Sequence, residues 1–289
     1  HSFPKYFIKP NNMKASIIIL ATVLLFSCTE NTIPKEEENK VKPVHNEIVN
    51  PEFQSIIDSN NVNGSILIYD LENELFYSNN FDWAKIGRLP ASTFKIVNSI
   101  IALETKVVED DSTLFPWNGE ERAYKTWEQD LILSDAFKYS CVPCYQEIAR
   151  RIGEKRMNEY LDKLKYKDMK VNADNLDIFW LEGDSKITQF QQIEFLRRFF
   201  QSELGISKRT EDIMRKIFFI EDYGNYKLNG KTGLSVRNGN YNGWFVGYIE
   251  SKESNYFFAT NIEPKDQLND NSFTQKRKKI TIEALNTLQ

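Results

Sequence analysis

Ser92 and Lys95 stand three residues apart in Ser92-Thr93-Phe94-Lys95. At the start of a helix, residues at that spacing share a face, so the lysine amine sits beside the serine hydroxyl. Such a pair supplies a nucleophile and a base. Pro90 just ahead and the helix N-terminus itself favour a developing negative charge. Alone the string is weak. Ser134-Asp135-Ala136-Phe137-Lys138 misses the same spacing by one residue, and a capping serine with a surface lysine reads the same way. Lys231-Thr232-Gly233 is a second element, on an expected strand. There Gly233 lets a ligand approach the backbone, the lysine attracts an anionic substrate and the threonine hydrogen-bonds its carboxylate. Most copies of that string are turns. Ser140-Cys141-Val142, 45 residues beyond Lys95, is the third element.

Composition narrows the chemistry. The chain holds two histidines, His1 and His45, and both precede the expected domain. A Ser-His-Asp or Cys-His triad is therefore excluded, and the serine must be activated by something else. Three cysteines leave few ligands for zinc, so no metal is expected. With 37 basic and 41 acidic residues the net charge is −4, which gives no electrostatic footprint for nucleic acid. Apolar residues at 41% suffice for a sizeable core.

The N-terminal region reads as an address. Residues 1–12 look like vector or upstream sequence. Residues 13–27 form a signal peptide: Lys14 is followed by the apolar run Ala15 to Phe26, too short to span a bilayer. Leu25-Phe26-Ser27-Cys28 resembles a bacterial lipobox, so Cys28 is expected to carry lipid. Residues 28–45, with Glu36-Glu37-Glu38 and two prolines, read as a flexible tether. The protein is thus expected to be exported, periplasmic and anchored to a membrane. Residues 46–289 form the catalytic domain.

The elements that must position the three motifs follow from periodicity. Pro51 to Ser59 has helical spacing, Ser65 to Tyr69 and Glu74 to Tyr77 read as strands, and a helix opens near Ser92 and runs to Glu104. Cys144 to Leu164 reads as helix broken around Gly153, and Thr188 with Gln191 forms a capping box ahead of another helix. Tyr226 to Leu234, Gly243 to Glu250 and Tyr256 to Ile262 read as a three-strand meander, and Gln275 to Leu288 as a closing helix. Strands lie at both ends and helices in the middle. The expected fold is mixed α/β: an antiparallel central sheet built from both termini, flanked by helices, with an inserted all-helical subdomain.

Ser-x-x-Lys, then Ser-x-Val, then Lys-Thr-Gly is the ordered set of penicillin-recognising serine hydrolases. The surroundings resemble class D, oxacillinase-type β-lactamases. The likeness runs from Gly64 to Ile280 through Leu89 to Ile96, Trp117-Asn118-Gly119, Trp127 to Leu131, Phe179 to Gly183 and Gly243 to Gly247. One departure is Tyr166-Lys167-Asp168, where the family usually carries Tyr-Gly-Asn. That departure leaves the shape of the loop below the site open.

The resemblance implies that Ser92 attacks the lactam carbonyl and that Lys95 bears a CO₂-derived carbamate acting as general base. No other cofactor is implied. Val142 and Phe94 would keep Lys95 dry, and Trp180 would steady the carbamate unless it is simply a core aromatic. Ser140 would pass a proton to the leaving nitrogen, with Lys231 in support. Thr232 and Arg277 would bind substrate carboxylate, although the run Lys276 to Lys279 leaves Arg277's register open and a solvated face possible. Backbone N–H groups of Ser92 and Leu234 would form the oxyanion hole. Cys141 and Cys144 read as packing residues, because a disulfide across that spacing is expected to be strained. The expected partner is a β-lactam, with the chain acting as monomer or homodimer. A non-hydrolysing penicillin-binding sensor and a cell-wall transpeptidase or carboxypeptidase share the motifs and stay open.

Overall fold

The computed structural model describes residues 46–266 and 272–288, all within one compact unit, Val44–Gln289. The signal segment, Cys28 and the tether lie outside the described residues. After strand β1 (Asn46–Val49), helix α1 (Pro51–Ser59) starts with the Asn50 side chain accepting from the Glu52 N–H and with proline at its first position. Strands β2 (Val62–Asp70) and β3 (Leu75–Ser78) and the short helix α2 (Phe81–Ala84) follow.

The middle of the chain is helical. Helix α3 (Lys95–Glu104) continues directly from a 3₁₀ turn, Ala91–Phe94. Every residue of α3 except Glu104 is buried. A helix covered on all sides runs through the core rather than over it. Strands β4 (Leu114–Phe115) and β5 (Leu131–Ile132) form a separate pair, followed by α4 (Leu133–Lys138), α5 (Val142–Ile152) and α6 (Glu154–Lys163). The expected break at Gly153 is the junction of α5 and α6, where its φ is 82°. Helix α7 (Gln189–Phe200) opens on the anticipated capping box, and α8 (Lys208–Phe218) on Ser207.

The chain then returns to the sheet with β6 (Phe219–Asp222), β7 (Tyr226–Arg237), β8 (Asn240–Ser251) and β9 (Tyr256–Pro264), and ends in α9 (Phe273–Asn286). The seven-stranded sheet runs β1-β3-β2-β9-β8-β7-β6. The two termini meet where β2 pairs antiparallel with β9, as Ile66 opposite Thr260. The expectation of an antiparallel sheet holds for every neighbour but one: β1 lies parallel to β3.

Side chains alternate across the sheet. On β8, Trp244, Val246 and Tyr248 join the helical core with Phe94, Tyr145 and Trp180, whereas Phe245 and Ile249 join the smaller core under α1 and α9. The long central strands are buried on both faces, so they are held in register by packing as well as by hydrogen bonds.

Gly247 tests how tightly β7 and β8 are pressed together. A Cβ there would stand 2.0 Å from Asn229 O and 2.7 Å from Gly230 Cα. Both are backbone atoms and cannot swing aside. Gly247→Ala should destabilise by about 3 kcal/mol or more, read from the shift in the urea unfolding midpoint followed by tryptophan fluorescence. A midpoint equal to that of the parent would show that the two strands are not in this contact.

Candidate active site

The nucleophile turn is held from three sides. Ala91, just before Ser92, has φ 49°, a left-handed backbone that costs a non-glycine residue about 1–2 kcal/mol. Its N–H donates to Trp180 O at 2.9 Å, and the Trp244 indole donates to Leu89 O at 2.9 Å. Thr93 Oγ1 donates to Pro90 O at 2.7 Å and accepts from Gln192 Nε2 at 2.8 Å. The result places Lys95 Nζ 3.0 Å from Ser92 Oγ, as the three-residue spacing predicts.

Ser140 arrives by a different device. Helix α4 ends in a Schellman motif: Ser140 N–H donates to Phe137 O at 3.2 Å and Cys141 N–H to Ala136 O at 2.9 Å. That motif requires a left-handed residue, and Ser140 supplies it with φ 55°. Glycine is the usual occupant of such a position. A serine there trades backbone ease for a hydroxyl aimed into the site. The hydroxyl accepts a hydrogen bond from Lys231 Nζ, which also donates to Thr232 O at 3.3 Å. Trp127 donates from its indole to Tyr139 O at 2.9 Å and so fixes the same turn from outside.

Lys231, Thr232, Gly233 and Leu234 lie on β7 beside the nucleophile turn. A Cβ on Gly233 would meet Pro90 O and Thr93 Cγ2, each at 3.1 Å, so the absence of a side chain lets this strand close on the 3₁₀ turn. The backbone of Leu234 follows on the same strand. Arg277 reaches over from α9. Its NH1 donates to Gly233 O and its Nε donates to Thr274 O at 2.8 Å. It crosses β8 at Gly243, where a Cβ would stand only 2.7 Å from Arg277 Cδ. This fixes the register left open by the basic run: Arg277 is buried, and Lys278 turns outward to Glu221 at 3.6 Å.

Three basic side chains therefore converge, and among the described residues no carboxylate partners any of them. Burial holds the Lys95 amine well below its ordinary range, and the nearby Lys231 adds to that. Burial brings Lys231 down to about 7, with Arg277 contributing, and lowers Arg277 to about 10. Such a cluster is a receptor for anions. Beside it a groove of about 380 Å³ opens against Lys231, Thr232, Phe137 and Ile220.

The surroundings of Lys95 are aromatic. Phe94 stacks on Trp180 with ring centroids 5.7 Å apart and meets Phe179 edge-on at 4.8 Å. Val142 begins α5 and is half-buried. The ring facing Lys95 Nζ belongs to Tyr145, at 5.1 Å, which the sequence reading missed. Tyr145 follows Val142 by three residues on one helix, so the shared face was the available signal. Its hydroxyl is satisfied by Ser99 Oγ at 2.7 Å. By contrast, the Trp180 indole N–H is buried without a partner among the described residues.

Two expectations need correction or completion. Cys141 and Cys144 are joined by a disulfide, with Cα atoms 5.4 Å apart, within the ordinary range of about 4.4–6.8 Å. The expected strain does not arise because Cys141 lies outside the helix, as the N-cap of α5 with a non-helical backbone, φ −55° and ψ 103°. At Tyr166-Lys167-Asp168 the left-handed residue is Asp168, φ 65°, and Lys167 needs no glycine. Asp168 Oδ2 accepts from Gln191 Nε2 at 2.8 Å and its carbonyl accepts from Lys186 N–H at 3.0 Å, which ties this loop to α7.

Comparison with known proteins agrees with this geometry. Residues 58–285 match the penicillin-binding-protein transpeptidase domain. Beta-lactamase OXA-48 of Klebsiella pneumoniae is 40% identical over 69% of this chain and 75% of its own length. The crystal structure of the class D β-lactamase YbXI from Nostoc superposes with a TM-score of 0.78 at 40% identity, covering 82% of this chain and 98% of that one. Regulatory protein BlaR1 of Bacillus licheniformis is 26% identical over 85% of this chain and 41% of its own length. With the three motifs in order, brought together on one turn, one helix cap and one strand, the chain belongs to the class D serine β-lactamases.

Proposed function

We propose that this chain hydrolyses the β-lactam ring of penicillin-type antibiotics through an acyl-serine intermediate, with a carbamate on Lys95 as general base, and so protects its bacterium from them. The observation that carries the reading is the buried indole N–H of Trp180, without a partner among the described residues and with its ring stacked on Phe94, the residue before Lys95. A fully buried lysine without a carboxylate beside it stays neutral, and only the neutral amine combines with CO₂. The donor on Trp180 and the dry aromatic wall fit such a group. When bound, the carbamate supplies an anionic base within reach of the Ser92 hydroxyl.

The remaining roles follow from the positions above. Ser92 Oγ gives up its proton and bonds to the lactam carbonyl carbon, while backbone N–H groups of Ser92 and Leu234 meet the oxygen's developing charge. The carbon–nitrogen bond of the ring then breaks, and Ser140 hands the nitrogen a proton that Lys231 replaces. A water molecule attacks the ester, its proton returns to Ser92 Oγ as that carbon–oxygen bond breaks, and the open-ring acid leaves. A carbamate on Lys95 would carry that proton once it had passed on the first one from Ser92 to Lys231. Thr232 and Arg277 hold the substrate carboxylate throughout. By the same reading, residues 13–27 direct export, Cys28 carries the lipid anchor, and the tether 28–45 places the catalytic domain 46–289 in the periplasm.

The likeness to BlaR1 favours one other reading, a sensor that is acylated once and stays so. Steady-state turnover of a chromogenic cephalosporin separates the two. Many turnovers per protein support the hydrolase, and a single stoichiometric burst refutes it. Ser92→Ala should abolish both burst and turnover, and mass spectrometry of slow variants should place the penicilloyl adduct on Ser92.

The base can be tested separately. Trp180→Phe removes the indole donor and keeps the packing. Its turnover should fall at ambient CO₂ and recover when bicarbonate is added, with a carbon-13 carbamate signal that is absent from Lys95→Ala. Because Lys95 takes up a proton only as pH falls through its depressed value, activity should decline on the acid side and bicarbonate should offset the loss. Full activity of CO₂-depleted protein, with no carbamate signal, would overturn this base.

Carboxylate recognition should separate Arg277 from its neighbour. Arg277→Ala should raise KM for penicillins by the equivalent of about 1.5–3 kcal/mol while kcat changes little. Lys278→Ala should leave KM unchanged. The reverse pattern would place the contact on Lys278.

A further inference from the structure

The Cys141–Cys144 disulfide has no part in the hydrolysis described above, yet it closes the turn between two of that reaction's groups. Immediately before it is Ser140, held left-handed with its hydroxyl on Lys231. Between the two sulfurs lies Val142, and one residue beyond is Tyr145, whose ring faces Lys95. Backbone ties on this turn are few. On the α4 side they are the two Schellman bonds of Ser140 and Cys141. On the α5 side Tyr145 N–H reaches Cys141 O at 3.3 Å, and Pro143 has no N–H to offer. The Cys144 N–H points at Cys141 Sγ at 3.3 Å. An N-cap oxygen would accept that proton well, whereas sulfur is a weak acceptor. The covalent bond stands where a strong cap would otherwise fix the helix start.

We infer that the Cys141–Cys144 disulfide is a redox-sensitive positioning clamp for the hydrolytic reaction, holding Ser140 against Lys231 and the first turn of α5 against Lys95. The inference rests on the roles proposed above for Ser140 and Lys95. A dithiol reductant opens the clamp. Its two electrons and two protons pass to the sulfurs, giving two protein thiols and the dithiol's own cyclic disulfide. Ser140 is then free to leave its left-handed conformation. The cross-link spans only four residues, so it restrains the unfolded chain very little. Its effect should therefore appear in rate far more than in unfolding temperature.

The test uses the full chain as isolated from the periplasm. Alkylation in denaturant, read by peptide mass, should leave Cys141 and Cys144 unmodified until reductant is added. Reduction, or Cys144→Ala where the buried bond resists the reductant, should lower kcat/KM for a penicillin about tenfold at a temperature well below unfolding. The unfolding midpoint should move little. In a Ser140→Ala background the same change should lower kcat/KM by about threefold or less, because the clamp's part in holding that hydroxyl is already lost and only its part in holding α5 remains. Two alkylated thiols in the untreated protein would overturn the clamp. So would equal rates in the oxidised and reduced forms, or an undiminished loss in Ser140→Ala. Absence of turnover in the untreated, cross-linked protein would instead count against the hydrolase reading, while the thiol count would still report on the bond.

Discussion

Burying Lys95 with no carboxylate beside it among the described residues is the constraint on which the rest of the site depends. An ionised lysine in that position would carry a desolvation cost of several kcal/mol, so the group stays neutral instead. The fold meets this demand with a helix buried along nearly its whole length, an aromatic wall of Phe94, Phe179 and Trp180, and the ring of Tyr145 facing the amine. Two buried hydroxyls near the nucleophile turn are paired. Thr93 pairs with Gln192 and Pro90, and Tyr145 pairs with Ser99. The Trp180 N–H is without a partner among the described residues, as are Asn98 Oδ1, Tyr166 OH, Gln189 Oε1 and Tyr248 OH.

The geometry also depends on backbone placed where backbone is reluctant to go. Ala91 and Ser140 are both left-handed, one just ahead of the nucleophile and the other at the second motif. Strain of this kind persists only where the surroundings over-determine it. Here the Trp180 carbonyl holds Ala91, and a complete Schellman motif with a covalent cross-link beyond it holds Ser140. The absent side chains at Gly233 and Gly243 serve the same end. One lets β7 touch the nucleophile turn, and the other lets Arg277 lie across β8 to reach it.

The sequence made the chemistry easier to read than the architecture around it. Strong periodicity located α1, the three-strand meander and the capping box at Thr188, because each follows from local spacing. Strands β1 and β6 carried no such sign. They are edge strands with every residue exposed, held by backbone pairing and surface ion pairs at Glu47 and Glu221, so no alternation marks them. The site motifs were legible as strings, yet their meeting was not. Ser140 reaches Lys231 across 91 residues, and Arg277 reaches Gly233 across 44. The disulfide was misjudged because residue spacing alone does not say whether Cys141 lies inside the helix or at its cap.

Two lysines in one pocket could have been redundant, and their environments make them different. Both are buried, but Lys231 keeps a hydroxyl and a backbone carbonyl to donate to, and its pKa falls only to about 7. Among the described residues Lys95 has the Ser92 hydroxyl and faces the Tyr145 ring, and burial lowers it well below its ordinary range. Burial disfavours the charged form of both, and Lys231 is brought to about 7. Environments that push like groups apart mark out an acid and a base. In the proposed mechanism, the burial that lowers the Lys95 amine leaves Lys231 to relay a proton through Ser140, so one apolar core would serve both roles without a histidine.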